Sequence, residues 1–325
     1  MQHSKYIHRC LELALRGQGK VGTNPMVGAV LVRAGEIIAD AWHEEFGAEH
    51  AERLLIKNFD QEIRPDDAFY VNLEPCSHRG KTPPCTDVII EAGIKRVVFG
   101  MKDPNPAVNG RGVEILRNAG VELIGPVDSV RCRRFNRGFV SLHEQGRPWV
   151  TLKRAQTRMG TIANEDGSTL KITSPQQDEW SHEYLRATHD AILVGVETVI
   201  QDDPLLTTRS KNTKIDQVSP LRIVLDPEMR IPLDAKILTG DMAKGTCIIT
   251  ASDPDSSELK SRSVRIFQLP IEGECFVWDK LWSVLKTPSD DFHGIKSILV
   301  EGGPTTWNTF KEAGVVDEEV VLVGK

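Results

Sequence analysis

The chain of 325 residues carries 40 basic and 46 acidic side chains, a formal net charge of −6, and aromatics make up 6% of it. At roughly 100–200 residues per domain, that length suits two domains better than one. The acidic balance argues against a broad electrostatic grip on nucleic acid or an anionic membrane, and leaves a small charged molecule as the compatible partner.

Residues 1–17 alternate charged and apolar side chains at helical spacing, without the apolar run and small-residue cleavage site of a signal peptide. No apolar stretch reaches the roughly 18 residues of a membrane span. A cytoplasmic protein is expected, and in that compartment the six cysteines read as thiols or metal ligands rather than disulfides. Gly22, Asn24 and Pro25 break the first helix, and Met26 to Val32 reads as a buried strand. Helix-like "HAERLLIKNF", strand-like "DAFYVNLEP", a helix over "PPCTDVIIEAG" and a strand over "IKRVVFG" follow. "GRGVEILRNAG" and "VELIGP" repeat the pair, so an α/β sheet with helices on its faces is predicted.

A single long helix is predicted over "SVRCRRFNRGFVSLHEQG", ending in Gly146 with Pro148 behind it, which places a domain boundary between residues 146 and 147. A second α/β series occupies 147–325. Its predicted strands are "PWVTLKRA", "AILVGV", "LRIVLD", "TCIITA", "VRIFQL" and "IKSILVEGG", with helices around "PQQDEWSHEYLRA", "VWDKLWSVLK" and "TTWNTFKEAG".

Cys76 and Cys85 are the only cysteines that form a pattern, because "EHAERL" upstream supplies His50 and, two residues on, Glu52. His-x-Glu followed by Pro-Cys and a second Cys is the pattern of zinc-dependent base deaminases. Three protein ligands leave one tetrahedral position for water, whereas a structural zinc site closes with a fourth. Zinc lowers the pKa of such a water toward neutrality, and Glu52 is expected to take its proton and pass it on as general base and then general acid. The competing reading is a surface His-Ala-Glu and two buried thiols.

"NPMVGAVLV", "HAE", "LEPCSHRGKTPPC" and "DPNPAVNGRG" together resemble the deaminase half of the bifunctional riboflavin-biosynthesis deaminase/reductase family. Its substrate is 2,5-diamino-6-ribosylamino-4(3H)-pyrimidinone 5′-phosphate, so the resemblance implies hydrolysis of the 2-amino group. It also implies a cytidine-deaminase-like α/β/α fold, with Asn24, His43, His78, Lys81, Asp103 and Asn105 around the pyrimidine or its phosphate. A mobile point charge such as Lys81 suits a phosphate, and asparagines suit a heterocycle with both donor and acceptor edges. Asn-Pro and Asp-Pro are also ordinary turn formers.

"LKRAQTRMGTIA", "KITSP", "LRATHDAILVGVETVIQDDPLLTTR", "RIVLD" and "VEGGPTTW" resemble, in order, the reductase half, which has a dihydrofolate-reductase-like α/β fold. The implied reaction is NADPH-dependent reduction of the ribosyl side chain to ribityl. The resemblance assigns Ala155, Lys171, Thr198, Asp202 and Gly303 to the cofactor, and Thr169, Arg186, Leu206, Arg209 and Glu301 to the substrate. A strand followed by Gly302-Gly303 and a helix can offer amides to phosphate or simply turn the chain, and Asp202-Asp203 can bind or turn into Pro204. Met159 stands where the family has an acidic residue, Lys171 stands for its tryptophan, and family members extend beyond "VVDEEVVLVGK", so a trimmed reductase domain or an incomplete chain is expected. A deaminase whose second domain serves only as a scaffold is the alternative function. A homo-oligomer that binds neither nucleic acid nor membrane is the expected assembly.

Overall fold

Ala29 to Val32 run without a polar residue because both faces of their strand are covered. A computed structural model describes residues 3–77, 83–106, 108–162, 170–209, 219–252, 257–289 and 291–324, and divides into two units, Met1–Gly146 and Arg147–Lys325.

In the first unit, helix α1 (Ser4–Ala14) lays Tyr6, Ile7, Cys10, Leu11 and Leu13 into the core. Strand β1 (Gly28–Arg33) packs so close that a Cβ on Gly28 would sit 2.1 Å from the Cys10 carbonyl oxygen. Ala34 and Gly35, at φ 50° and 89°, turn the chain into antiparallel β2 (Glu36–Trp42), a strand the sequence reading does not include. Both residues in the left-handed region match the twist of a tight hairpin. Helix α2 (Ala51–Asn58), β3 (Ala68–Leu73), α3 (Cys85–Glu91), β4 (Arg96–Met101), α4 (Arg111–Asn118) and β5 (Glu122–Ile124) follow. The sheet order is β2-β1-β3-β4-β5, with β1 antiparallel to both neighbours and the rest parallel. The start of β1 and the ends of β2, β3 and β4 therefore share one edge.

The helix predicted over 129–146 is two, α5 (Ser129–Phe135) and α6 (Arg137–Glu144), broken at Asn136 with φ −95° and ψ 26°. Its side chain accepts from the Met26 N–H at 2.9 Å and donates to the Met26 carbonyl at 3.0 Å. That buried amide exchanges helical continuity for satisfying the backbone where β1 begins.

In the second unit, β6 (Trp149–Gln156) leads to α7 (Pro175–Trp180), which starts with a Ser174–Gln177 capping box. The helix predicted over 175–187 then widens to a π-type turn at Ser181–Leu185 and tightens to a 3-10 turn at Arg186–Thr188. Next come β7 (Ala191–Gly195), α8 (Val196–Asp202), β8 (Leu221–Leu225), β9 (Thr246–Thr250), α9 (Ser257–Ser261) and β10 (Arg265–Gln268). A small hairpin of β11 (Ile271–Glu272) and β12 (Cys275–Phe276) precedes α10 (Trp278–Lys286), β13 (Ser297–Val300), α11 (Pro304–Glu312) and β14 (Glu318–Val323).

The order of the large sheet is β10-β9-β8-β7-β13-β6-β14, and every pairing in it is parallel. One face packs on Trp282, Leu285 and Phe310, the other on Val196, Val199 and Ile237. Covering on both faces explains the continuous apolar strands that made this series legible. No helix among the described residues is long and apolar enough to cross a membrane.

Candidate active sites

His50 is the N-cap of α2, Glu52 lies in its first turn, Cys76 follows β3, and Cys85 opens α3 behind Pro84. His50 Nδ1 lies 3.5 Å from Cys76 Sγ and 3.3 Å from Cys85 Sγ. Bond lengths of about 2.05 Å to nitrogen and 2.3 Å to sulfur, at a tetrahedral angle, would separate such atoms by about 3.6 Å. The two observed separations fall close to that, and all three ligand atoms lie within 4.8 Å of one another, so the donor set fits zinc. The Cys85 backbone N–H points at Cys76 Sγ from 3.4 Å, an amide at a helix start that favours thiolate.

The electrostatics favour a thiolate at Cys76, hydrogen-bonded by the Cys85 thiol. Cys76 is pulled down to about 4 by its hydrogen bond with Cys85 and by His50, and the Cys85 thiol is pushed up by Cys76 and by burial. The hydrogen bond with Cys76 raises His50 to about 9. Glu52, 4% exposed, has its carboxyl raised by burial.

The first unit brings Asn24 and His43 to the same edge. His43 donates from Nδ1 to the Glu49 carbonyl at 3.1 Å, which leaves Nε2 to accept from Asn24 Nδ2 at 3.1 Å. Its ring meets His50 edge to face, with centroids 5.6 Å apart. Asp103 Oδ1 accepts from the Asn105 N–H at 2.8 Å, so part of this carboxylate shapes the turn after β4. His78 and Lys81 lie outside the described residues.

Two positioning side chains escape the sequence reading. Asn72 accepts from the Gly28 N–H at 2.8 Å and donates to the Met26 carbonyl at 3.0 Å. Glu74, 2% exposed, accepts from the backbone N–H groups of Asp103, Gly110 and Val113 at 3.2, 3.1 and 3.2 Å. An asparagine inside an apolar strand, "YVNL", was the available signal, since a buried amide must find partners.

In the second unit the chain leaves β6, β7 and β13 at one end of a parallel sheet, the usual place for ligands. A Cβ on Gly195 would stand 2.9 Å from Thr306 Oγ1, and one on Gly302 2.7 Å from Thr306 Cβ. These glycines let the turn into α8 and the turn into α11 approach each other, while Gly303 has nothing within 4 Å of such a Cβ. That open, glycine-lined helix start fits a dinucleotide phosphate.

Ala155 lies on β6, and Thr198 and Asp202 belong to α8, a seven-residue helix where the sequence suggested a strand end and a turn. Asp203, at φ 40°, ends that helix and accepts from the Lys236 N–H. Leu206 is 3% exposed at φ 49°, a left-handed conformation that costs a leucine strain. Lys171 is exposed, and Thr169 lies outside the described residues.

Arg186 and Glu301 form one bidentate pair at 3.0 and 2.8 Å, and Arg186 Nη1 also donates to the Thr207 carbonyl. Burial alone would raise the Glu301 carboxyl, but Arg186 outweighs it and brings it to about 2. Arg209 contacts His182, which the sequence reading passed over.

Comparison with known proteins places both units. Residues 1–101 match the family described as the cytidine and deoxycytidylate deaminase zinc-binding region, and residues 148–324 match the RibD C-terminal domain. The riboflavin biosynthesis protein RibD of Aquifex aeolicus is 41% identical over 319 residues, covering 98% of this chain and 85% of that protein. Its counterpart in Escherichia coli K12 is 35% identical over 335 residues, covering 99% and 88%. Among solved structures, Acinetobacter baumannii RibD superposes with a TM-score of 0.83 at 32% identity, covering 99% of this chain and 86% of that one. A deaminase/reductase from Thermotoga maritima, named for a diaminohydroxyphosphoribosylaminopyrimidine substrate and a phosphoribosylaminouracil reductase step, gives 0.79 at 34% identity, covering 99% and 86%.

Proposed function

The chain belongs to the RibD family of riboflavin biosynthesis, with a zinc-dependent deaminase unit and an NADPH-dependent reductase unit, and from that premise we propose how its own side chains divide the two reactions. His50, Cys76 and Cys85 hold the metal, which when bound supplies the Lewis acidity that activates water near neutral pH. Glu52 takes a proton from the attacking water and delivers protons to the ring nitrogen and the departing ammonia, so that C–NH₂ becomes C=O. Asn24 and His43 hold the heterocycle, with the His43 tautomer fixed by the Glu49 carbonyl. Asp103 and Asn105 complete this site, and His78 and Lys81 are assigned to the pyrimidine nucleotide on the family pattern alone.

In the second unit Ala155, Lys171, Thr198, Asp202 and Gly303 hold NADPH, while Thr169, Arg186, Leu206, Arg209 and Glu301 hold the deaminated nucleotide. NADPH held there would supply hydride to the sugar's C1′, with the bond to the ring oxygen breaking and that oxygen taking a proton. The chain's contribution is near-attack positioning.

The observation that carries the deaminase assignment is the convergence of two sulfurs and one imidazole nitrogen beside a buried carboxylate. Cys76→Ser should lose zinc and ammonia release together. Full zinc content with undiminished ammonia release in that variant would show that the centre lies elsewhere.

A further inference from the structure

His182 sits in the wide turn Ser181–Leu185 and is 8% exposed. The backbone N–H of Arg209 donates to its Nδ1 at 3.1 Å. A neutral imidazole that accepts at Nδ1 carries its proton on Nε2. That nitrogen lies 3.3 Å from Nη2 of Arg209, and a guanidinium has donors only. Two donors therefore face each other at hydrogen-bond distance, and neither can accept.

Protonating the ring would not relieve the conflict, because it would add a second N–H donor and a charge beside Arg186 and Arg209. Burial and those two guanidiniums hold His182 down at about 4. Among the described residues no carboxylate pairs with Arg209, whereas Arg186 is matched by Glu301. The adjoining Thr208, 8% exposed, has a hydroxyl without a partner among the described residues. The arrangement becomes favourable when one anionic oxygen accepts from His182 Nε2 and Arg209 Nη2 together.

We propose that His182 is a direct ligand of a phosphomonoester, acting with Arg209 as a two-donor clamp on one phosphate oxygen. This rests on the reductase reading above, in which two phosphomonoesters are at hand, the substrate's 5′-phosphate and the 2′-phosphate of NADPH. The arginine fork fixes a plane and the imidazole adds an uncharged donor of fixed direction, so the clamp selects phosphate over an unphosphorylated analogue.

The test uses the full chain and compares wild type with His182→Ala and His182→Gln. Kinetics are measured with the deaminated nucleotide and its dephosphorylated form, and dissociation constants with NADPH and NADH. Losing a hydrogen bond to a charged group should raise KM for the phosphorylated substrate, or Kd for NADPH, about tenfold or more while the phosphate-free counterpart is unchanged. The first pattern assigns the clamp to the substrate and the second to the cofactor. His182→Gln, which keeps one acceptor and one donor, should recover part of the loss and serves alone if the alanine variant does not fold.

Equal losses for phosphorylated and phosphate-free partners would overturn the proposal and leave His182 a packing residue. Titrating wild type with inorganic phosphate gives a readout independent of turnover, because the His182 Nε2–H proton resonance should move downfield on binding. A resonance unmoved at saturating phosphate would also overturn it. Wild type that oxidised no NADPH with either substrate, yet showed the phosphate shift, would instead sink the reductase reading and spare the clamp.

Discussion

Glu52 is buried, the Glu301 side chain is only 7% exposed, and their surroundings push the two carboxyls in opposite directions. Burial raises Glu52, which suits a group that must hold a proton mid-reaction. Glu52→Gln should keep its zinc and lose roughly 10²–10⁴ in ammonia release, and metal analysis beside a rate measurement checks both halves. At Glu301 the Arg186 guanidinium outweighs burial, so the folded pKa of about 2 lies below the ordinary 4.5. Its stabilisation is present above pH 4.5 and drains away as pH falls toward 2. His182, at about 4 against 6.5, adds a loss of the same sign between those values, because only the unfolded chain takes up the proton there. Five of the six tryptophans, all but Trp42, lie in the second unit, so their fluorescence during denaturant unfolding reports it. The unfolding midpoint should fall continuously from pH 7 to pH 2, and Glu301→Gln should flatten the part below pH 4.5.

Among the elements, the segment from Asp103 to Val113 is held by Glu74 rather than by strand pairing. A Cβ on Gly112 would stand 2.1 Å from the Pro75 carbonyl oxygen, so this segment packs directly on the chain that carries Cys76. Glu74→Ala strands the buried amides of Asp103 and Val113, at roughly 1–3 kcal/mol each, and the half-buried amide of Gly110. Hydrogen exchange should then accelerate at Asp103, Gly110 and Val113, with β1 and β3 unchanged. Protection equal to wild type would show that other contacts hold the segment.

Such elements also mark what the sequence could tell. The inner strands β7, β9 and β13 of the large sheet were legible because residues buried on both faces must be apolar, and the candidate residues His50, Glu52, Cys76 and Cys85 because metal chemistry restricts residue type and order. Strand β2, with its burial mixed along "EIIADAW", had no such signature. The break at Asn136 lies inside good helical periodicity, and its cause is a backbone group 110 positions away. His182 and Glu74 escaped for the same reason, since their partners arrive only through tertiary folding.

At the scale of the whole molecule, the three residues whose donor atoms could hold zinc come from the first unit and the described strands of the large sheet from the second. Chelation should abolish ammonia release while NADPH oxidation with the deaminated nucleotide continues. Parallel loss of both rates would show that the second unit depends on the metal.

Strand β6 lies between β13 and β14, with Trp149 paired to Ser297 and Thr151 to Glu318. The strand that opens the second unit therefore waits for partners made long after it, whereas among the described residues the strands of the first unit are complete by Ile124. Long-range parallel pairing is slow and leaves apolar edges uncovered meanwhile. A nascent chain arrested at residue 290 should show a protease-resistant first unit followed by a digestible tail, so synthesis itself would present the second half to chaperones as an unfinished sheet while the first half is already folded.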